Sequence, residues 1–80
     1  LTVQGGKITG KTEPPFNEKK ITAGEQVTIE AIIPKGKTFA SWYVNDDDWT
    51  KLKLTDGDKR KNPLTFTMIN EDITFAAEFD

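Results

Sequence analysis

The chain contains no cysteine and no histidine. Without cysteine there is no disulfide framework and no thiolate nucleophile. Without histidine the usual zinc sites, haem ligation and histidine-dependent nucleophilic catalysis are excluded as well. A carboxylate pair for glycoside hydrolysis would need a deep, dry cleft, which a chain of 80 residues rarely forms. We therefore predict no enzyme activity, no catalytic or metal-binding residues and no cofactor.

The chain also lacks a large excess of one charge and a long apolar run. Eleven Lys and Arg residues against thirteen Asp and Glu give a net charge of −2, which is too even to favour nucleic acid or an anionic membrane as a partner. No apolar run approaches the roughly 18 residues of a membrane-spanning helix, so we predict no membrane insertion. The composition, 35% hydrophobic, predicts one small core and a single domain over residues 1–80. Because the chain opens at Leu1 with neither an initiator Met nor a signal region, we expect it to be excised from a longer protein.

The residues that are abundant favour β-strands. Thr, Ile and Val account for 21 of the 80 residues, and β-branched side chains suit a pleated, half-buried surface. Apolar residues alternate with Thr and Glu in three segments, Val27–Ile33, Leu64–Met68 and Ile73–Phe79. This alternation is typical of antiparallel strands with one face in water. No segment keeps a helical apolar spacing over three turns, so we predict no long helix.

Turn residues separate the remaining predicted strands. Gly5-Gly6 divides two short strands near the start, and Pro34-Lys35-Gly36 predicts a hairpin between Val27–Ile33 and a strand over Thr38–Val44. Leu52 and Leu54 indicate a short extra strand. The predicted fold class is all-β, a small, mainly antiparallel, sandwich-like sheet of six to seven strands. The predicted core consists of Val3, Ile8, Val27, Ile29, Ala31, Ile33, Phe39, Trp42, Leu64, Phe66, Met68, Ile73, Phe75, Ala77 and Phe79.

The strand that contains Phe39 and Trp42 departs from simple alternation. These rings are three residues apart and would point to opposite faces of a regular strand. We predict a central strand with both rings in or beside the core. A bulge that re-aims one ring is the alternative.

An acidic run between two aromatic residues is the candidate ligand site. Asp46, Asp47 and Asp48 lie between Tyr43 and Trp49, and flat rings beside carboxylates have the composition of a sugar-binding surface. Three successive carboxylates also suit Ca²⁺, although the spacing of a helix-loop-helix calcium site is absent. The structural alternative is a solvated loop at a strand end, with Trp49 folded back to cap the core.

Four sequence elements, in this order, resemble a known family: Gly24–Ala31, Gly36–Trp42, Thr65–Met68 and Asp72–Phe79. Their apolar, glycine and aromatic positions are similar to those of the divergent InlB B-repeat type of bacterial surface repeat. The resemblance runs from Ile21 to Phe79, and the opening strand with its glycine pair fits as well. Two features depart from the family pattern. Ile69 stands where proline is usual, and the segment Asn45–Pro63 is longer and more charged than the usual connection.

The resemblance implies a non-catalytic repeat module of a bacterial cell-surface or secreted protein, located outside the cell or in its wall. As a spacer, stalk or adhesion scaffold it would have neighbouring domains of its parent chain as partners, with a glycan or a host protein as a further partner. A module with termini at opposite ends would stack on its neighbours and extend a binding domain away from the wall. The alternative function is a carbohydrate- or peptide-binding module that uses the Asp46–Trp49 loop. Distant relatives imply an alternative fold, a β-grasp-like arrangement with one short helix near Pro15–Ala23.

Overall fold

A computed structural model describes residues 1–80 except for the side chain of Asp46. Six strands, one α-helix and one 3₁₀ turn form the regular structure of these residues. The strands are β1 (Thr2–Gln4), β2 (Gly6–Ile8), β3 (Gln26–Ala31), β4 (Phe39–Tyr43), β5 (Leu64–Thr67) and β6 (Thr74–Phe79). Helix α1 is Asp46–Lys51, and the 3₁₀ turn is Asp58–Arg60. The predicted all-β class is confirmed.

The strands form two small sheets, packed face to face. The first sheet has the order β1-β6-β4, and the second has the order β2-β3-β5. All neighbouring strands are antiparallel except β1 and β6, which run parallel with Val3 opposite Phe75. The sheets meet through their apolar faces, where the rings of Phe66 and Phe75 lie 4.9 Å apart. Because the side chains of a strand alternate between its faces, Thr and Glu of β5 and β6 face water.

Segments outside the strands close the two open sides of this sandwich. On the side of β1 and β2, residues 16–19 run between the sheets, and Val3 N–H donates to the Asn17 carbonyl at 2.8 Å. On the other side, the segment from Asn45 to Pro63 leaves β4 and returns to β5. Its anchors are the bond from Trp42 Nε1 to the Lys61 carbonyl, 2.9 Å, and the bond from Ala31 N–H to Asn62 Oδ1, 2.8 Å. The long charged segment is therefore part of the fold itself.

The core contains most of the predicted residues and two others. Val44 and Leu52 are buried, although the alternation patterns do not predict them. Ile33 is 45% exposed, and its prediction as a core residue is wrong because β3 ends at Ala31 and the chain leaves the sheet there. The predicted core residues Phe39, Ala77 and Phe79 are only partly buried against the cluster.

Two predictions about individual elements are wrong, and the structure also argues against the alternative fold. The hairpin between the third and fourth strands does not form, because β3 and β4 belong to different sheets. Leu52 and Leu54 are not in a strand, since the chain has just completed α1 there. The helix near Pro15–Ala23, which a β-grasp-like fold requires, is absent from the described structure, where Glu18 forms an isolated bridge with Thr2.

A register shift in β4 brings Phe39 and Trp42 together. The shift lies between Phe39 and Ser41, so the two rings lie 5.3 Å apart. The bulge alternative is therefore confirmed, and both rings lie in or beside the core. The predicted central position is wrong, because β4 is an outer strand of its sheet.

Candidate functional site

The acidic run begins helix α1 and is not a loop. The first turn of the helix is Asp46–Asp48, and the carboxylates of Asp47 and Asp48 lie where negative charge interacts favourably with the positive end of the helix dipole. Asn45 lies at the cap position, and its carbonyl accepts the Trp49 N–H at 2.8 Å. The solvated-loop alternative is thus wrong for this segment.

The end of α1 is fixed by backbone hydrogen bonds around Lys53. Leu54 N–H donates to the Trp49 carbonyl at 3.4 Å, and Lys53 N–H donates to the Thr50 carbonyl at 3.1 Å. This pair of bonds is a Schellman motif, which places the residue after the cap in the left-handed region. Lys53 takes that conformation with φ of 58°. Leu54 and Trp49 both pack on the core beneath the turn.

Trp49 is half-buried between the core and a lysine. Its side chain packs against the buried cluster, and Lys59 Nζ lies 4.1 Å from a ring centroid. That distance is within the range of a cation–π contact. The predicted alternative in which Trp49 caps the core fits this position, and Lys59 covers part of the ring that a sugar would need.

The 3₁₀ turn that carries Lys59 has a capping box at its start. Thr55 N–H donates to Asp58 Oδ2 at 2.8 Å, and Asp58 N–H donates to Thr55 Oγ1 at 3.2 Å. Lys61 Nζ lies 3.1 Å from the other carboxylate oxygen of Asp58. The bond from the Thr55 N–H, and after it the Lys61 ammonium, lower the pKa of Asp58 from its ordinary value.

The predicted ligand residues do not converge on one surface in the described structure. Tyr43 is 54% exposed on β4, whereas Trp49 is half-buried on α1, and no ring contact joins them there. Asp47 is exposed and Asp48 is half-buried; the side chain of Asp46 lies outside the described residues. Among the described side chains, no three carboxylates lie together as a metal site would require. Ligand contact at these residues stays a prediction.

A groove that the sequence patterns do not predict lies beside the first residue. It has a volume of about 710 Å³. One wall is the segment 18–21, whose Lys19 carbonyl accepts the Leu1 ammonium at 3.0 Å, and the other is the segment 68–72. Leu1, Ile21 and Ile69 give it an apolar floor that packs on the core. We call this the N-terminal groove.

An ion pair ties α1 to one wall of the N-terminal groove. Lys51 Nζ lies 2.7 Å from Glu71 Oε1. The hydrogen bond and the charge of Glu71 raise the pKa of the Lys51 ammonium. The periodicity of the sequence contains no signal for this contact, because the two residues are 20 positions apart.

The parallel pairing of the first and last strands fixes where the chain enters and leaves. Thr2 N–H donates to the Ile73 carbonyl at 2.9 Å, so Leu1 lies beside the start of β6. Asp80 lies at the other end of β6, where it exchanges backbone hydrogen bonds with Thr38. At about 3.3 Å per residue, the strand separates these ends by about 23 Å.

Comparison with known sequences identifies the family. The divergent InlB B-repeat domain matches residues 1–80 of the chain. The chain belongs to this family. The resemblance of Gly24–Ala31 and the elements that follow it is thereby confirmed, and the match extends to the first strand. No curated protein and no solved structure matches the chain.

The family gives the broad functional class of the chain. InlB B-repeats are repeat modules typical of bacterial surface proteins, and they are generally non-catalytic. In the described part of this chain, no helix has the length and the apolar composition that crossing a bilayer requires.

Proposed function

We propose that the chain is a spacer module in the extracellular part of a bacterial surface protein. Its role is to separate the domains on either side of it. The family supports a surface repeat, and the spacer role rests on the arrangement of β1 and β6.

The observation that carries the proposal is the parallel pairing of Val3 with Phe75. A chain whose first and last strands were antiparallel neighbours would enter and leave at the same end. Here the pairing puts Leu1 and Asp80 at opposite ends of one sheet. Copies joined through these residues therefore extend in one direction.

The core makes the spacer a folded body that transmits force through a sheet. β6 is the middle strand of the first sheet, bonded to β1 on one side and to β4 on the other. Tension applied at Leu1 and Asp80 acts along these paired strands, and the bonds between β1 and β6 resist it together. The contact between the rings of Phe66 and Phe75 joins the two sheets beneath this pair of strands.

Small-angle scattering of chains with one, two and four copies tests the spacer role. The maximum dimension should grow with every added copy, by about 20 Å or more, because each copy separates its own ends by the length of β6. Four copies that scatter as a compact globule would overturn the proposal.

The extracellular location has its own test: an antibody against the chain should label intact cells of the bacterium that produces it.

A titration separates the spacer from the recognition alternative. In nitrogen-15 NMR spectra, the indole N–H signals of Trp42 and Trp49 are followed while cell-wall fragments, host glycans and then Ca²⁺ are added. The spacer proposal predicts that neither signal moves at millimolar ligand. A saturable shift of Trp49 with Trp42 unchanged would identify the α1 surface as a binding site and make the chain a recognition module.

A further inference from the structure

The stretch just before the 3₁₀ turn contains an aspartate that is followed directly by glycine, Asp56-Gly57. No other aspartate or asparagine of the chain precedes a glycine. The Asp56 side chain is 92% exposed, and Lys59 Nζ lies 3.9 Å from its Oδ1. An exposed ion pair at this distance holds its partners weakly. The Asp56 carboxyl group is therefore free to turn toward the backbone beside it.

The backbone nitrogen of Gly57 has no hydrogen-bond acceptor in the described structure. The N–H groups of residues 58–60 each donate to a backbone carbonyl, whereas Gly57 N–H donates to none of the described acceptors. Because glycine has no Cβ, no side chain at position 57 shields this nitrogen. Apart from the chain neighbours, an added Cβ would approach one atom within 4 Å, Thr55 Oγ1 at 3.7 Å. A nucleophilic nitrogen thus lies unshielded beside an exposed carboxyl group.

The turn around these two residues is held by few contacts. The 3₁₀ turn Asp58–Arg60 contains no buried residue. At its start, the N–H groups of Asp58 and Lys59 donate to the Thr55 carbonyl at 3.0 and 3.3 Å. Segments with few buried apolar contacts and exposed hydrogen bonds open at a low free energy, without unfolding of the core. When these bonds open, rotation about the Cα–C bond of Asp56 brings the Gly57 nitrogen against the side-chain carboxyl carbon.

We propose that Asp56 isomerises spontaneously to isoaspartate in the folded chain. The Gly57 nitrogen attacks Cγ of the protonated Asp56 carboxyl group. The bond from the nitrogen to Cγ forms, the bond from Cγ to the hydroxyl breaks, and the hydroxyl leaves as water with the hydrogen of the nitrogen. Water then adds to the main-chain carbonyl carbon of the resulting ring and breaks its bond to the Gly57 nitrogen. The product has the same atoms as the starting chain, and the reaction requires no enzyme or co-reactant.

The new linkage lengthens the backbone inside a capping box. The main chain then runs through Cβ and Cγ of Asp56, which adds one atom to its path. Thr55 and Asp58 exchange two hydrogen bonds that depend on their spacing of three residues. Lys59 Nζ, 4.1 Å from the centroid of a Trp49 ring, follows in the same turn. Isomerisation therefore loosens the capping box and withdraws Lys59 from Trp49. The inference is independent of the proposed spacer function.

The test is incubation of the folded chain at neutral pH and 37 °C for several weeks, followed by digestion with trypsin. Cleavage after Lys53 and Lys59 releases residues 54–59 as one peptide, in which electron-transfer fragmentation distinguishes isoaspartate from aspartate. The synthetic peptide of residues 54–59 is the unfolded reference. Isoaspartate should form in the folded chain at a rate within about tenfold of the peptide, because the turn opens at low free energy. No isoaspartate in the folded chain after half of the peptide has reacted would overturn the proposal.

A second aspartate of the chain is an internal control. Asp72 is also exposed, but the buried, β-branched Ile73 follows it. The Cβ of Ile73 crowds the nitrogen that would attack, and its burial holds the backbone in place. Asp72 should stay intact in the incubation that converts Asp56. Equal conversion at the two positions would mean that the Asp56-Gly57 turn is not a specific site, and the proposal would be wrong.

Two substitutions separate the chemistry from a general loss of order. The backbone of Gly57 has φ of −66° and ψ of −34°, which alanine adopts without strain. Gly57→Ala should therefore preserve the fold and slow isomerisation by about tenfold or more, since a Cβ shields the nitrogen and restricts its rotation. Asp56→Asn should react faster than the parent chain, because its amide loses ammonia without prior protonation. An unchanged rate in Gly57→Ala, or an intact side chain in Asp56→Asn, would contradict attack by the Gly57 nitrogen.

The effect on the turn is read from Trp49. In the isomerised chain, purified by chromatography, the indole N–H signal of Trp49 should move in the same direction as in Lys59→Ala of the parent chain. That variant removes the cation from the ring without changing the backbone. The melting temperature of the isomerised chain should be lower than that of the parent. A Trp49 signal and a melting temperature that both stay unchanged would overturn the proposed loosening of the turn.

Discussion

Val3 and Phe75 lie opposite one another in parallel strands, and both are fully buried. They belong to the first and last strands of the chain, so their pairing bonds β1 to the sheet and places two side chains in the core. Because the two strands run parallel, the pairing also puts the chain termini at opposite ends of the module. The strand β1 is too short to be stable alone, since it has only three residues. It is held between β6 and the segment 16–19, which occupies its other edge.

The ring of Trp42 connects the core to the segment that closes the sandwich. It is 1% exposed, contacts the rings of Phe39 and Phe75, and donates a hydrogen bond to the Lys61 carbonyl. We expect Trp42→Ala to lower the free energy of unfolding by about 3–5 kcal/mol, because a large cavity and an unpaired carbonyl remain. Urea denaturation measures the loss. Tyr43→Ala, on the exposed face of the same strand, is the control and should change stability by no more than about 1 kcal/mol.

Gly6 is buried where a side chain has no room. A Cβ atom there would lie 2.5 Å from the Glu30 carbonyl oxygen and 3.0 Å from the Trp42 ring. Because the carbonyl belongs to a paired strand, we expect Gly6→Ala to destabilise the chain by about 1–3 kcal/mol. Gly57→Ala is the matched control, since its nearest neighbour would be 3.7 Å away. Thermal unfolding that gives equal melting temperatures for the two variants would contradict the packing at Gly6.

The left-handed conformation of Lys53 should be improved by glycine. A side chain in this region costs about 1 kcal/mol, which glycine avoids. We expect Lys53→Gly to stabilise the chain by up to about 1 kcal/mol in urea denaturation. Lys35→Gly is the control, because Lys35 does not have a positive φ. There glycine only raises the conformational entropy of the unfolded chain, so the free energy of unfolding should stay unchanged or fall. A loss of stability in Lys53→Gly would mean that the Schellman turn is not formed as described.

The carboxylate of Asp58 makes stability depend on acid pH. Because the Thr55 N–H and Lys61 lower its pKa, its contribution is complete above the pKa of an aspartate in the unfolded chain, about 3.9. The contribution is lost as the pH falls through the lowered folded value. Asp58→Asn should thus be less stable than the parent chain at pH 7, and the gap should close in strong acid. Melting temperatures at both pH values check this, and a gap that persists in strong acid would contradict it.

The sequence predicts the positions of the strands better than it predicts the structure of the segment after β4. Alternation of apolar and polar residues locates β3, β5 and β6, since their burial depends on the strand's own period of two. Which strands pair is not predicted: the turn at Pro34 is compatible with a hairpin, yet β3 and β4 enter different sheets. That outcome depends on how the two faces pack, which no local pattern records.

The segment from Asn45 to Pro63 is the least predictable because its structure is short and locally capped. Helix α1 has six residues, too few for a helical period to stand out. After the C-terminal end of α1, Lys53 occupies the position where glycine usually marks the end of a helix. The Thr55-x-x-Asp58 spacing is the signal that identifies a capping box, and it lies within a run that composition alone describes as a charged turn.

The candidate site is predicted in part. The sequence locates Trp49 beside an acidic run, but its contact with Lys59 depends on the 3₁₀ turn ten residues later. The N-terminal groove has no motif, because its walls come from segments almost 50 residues apart that the β1–β6 pairing brings together.

The distance between Leu1 and Asp80 tests the central claim most directly. The chain has no cysteine, so Leu1→Cys with Asp80→Cys provides two unique sites for spin labels, and Thr38→Cys with Asp80→Cys provides a short reference distance. Parallel pairing of β1 with β6 predicts that the first pair lies about 20 Å farther apart than the second. A distance between Leu1 and Asp80 as short as the reference would mean that both termini leave the same end, and the spacer account would be wrong.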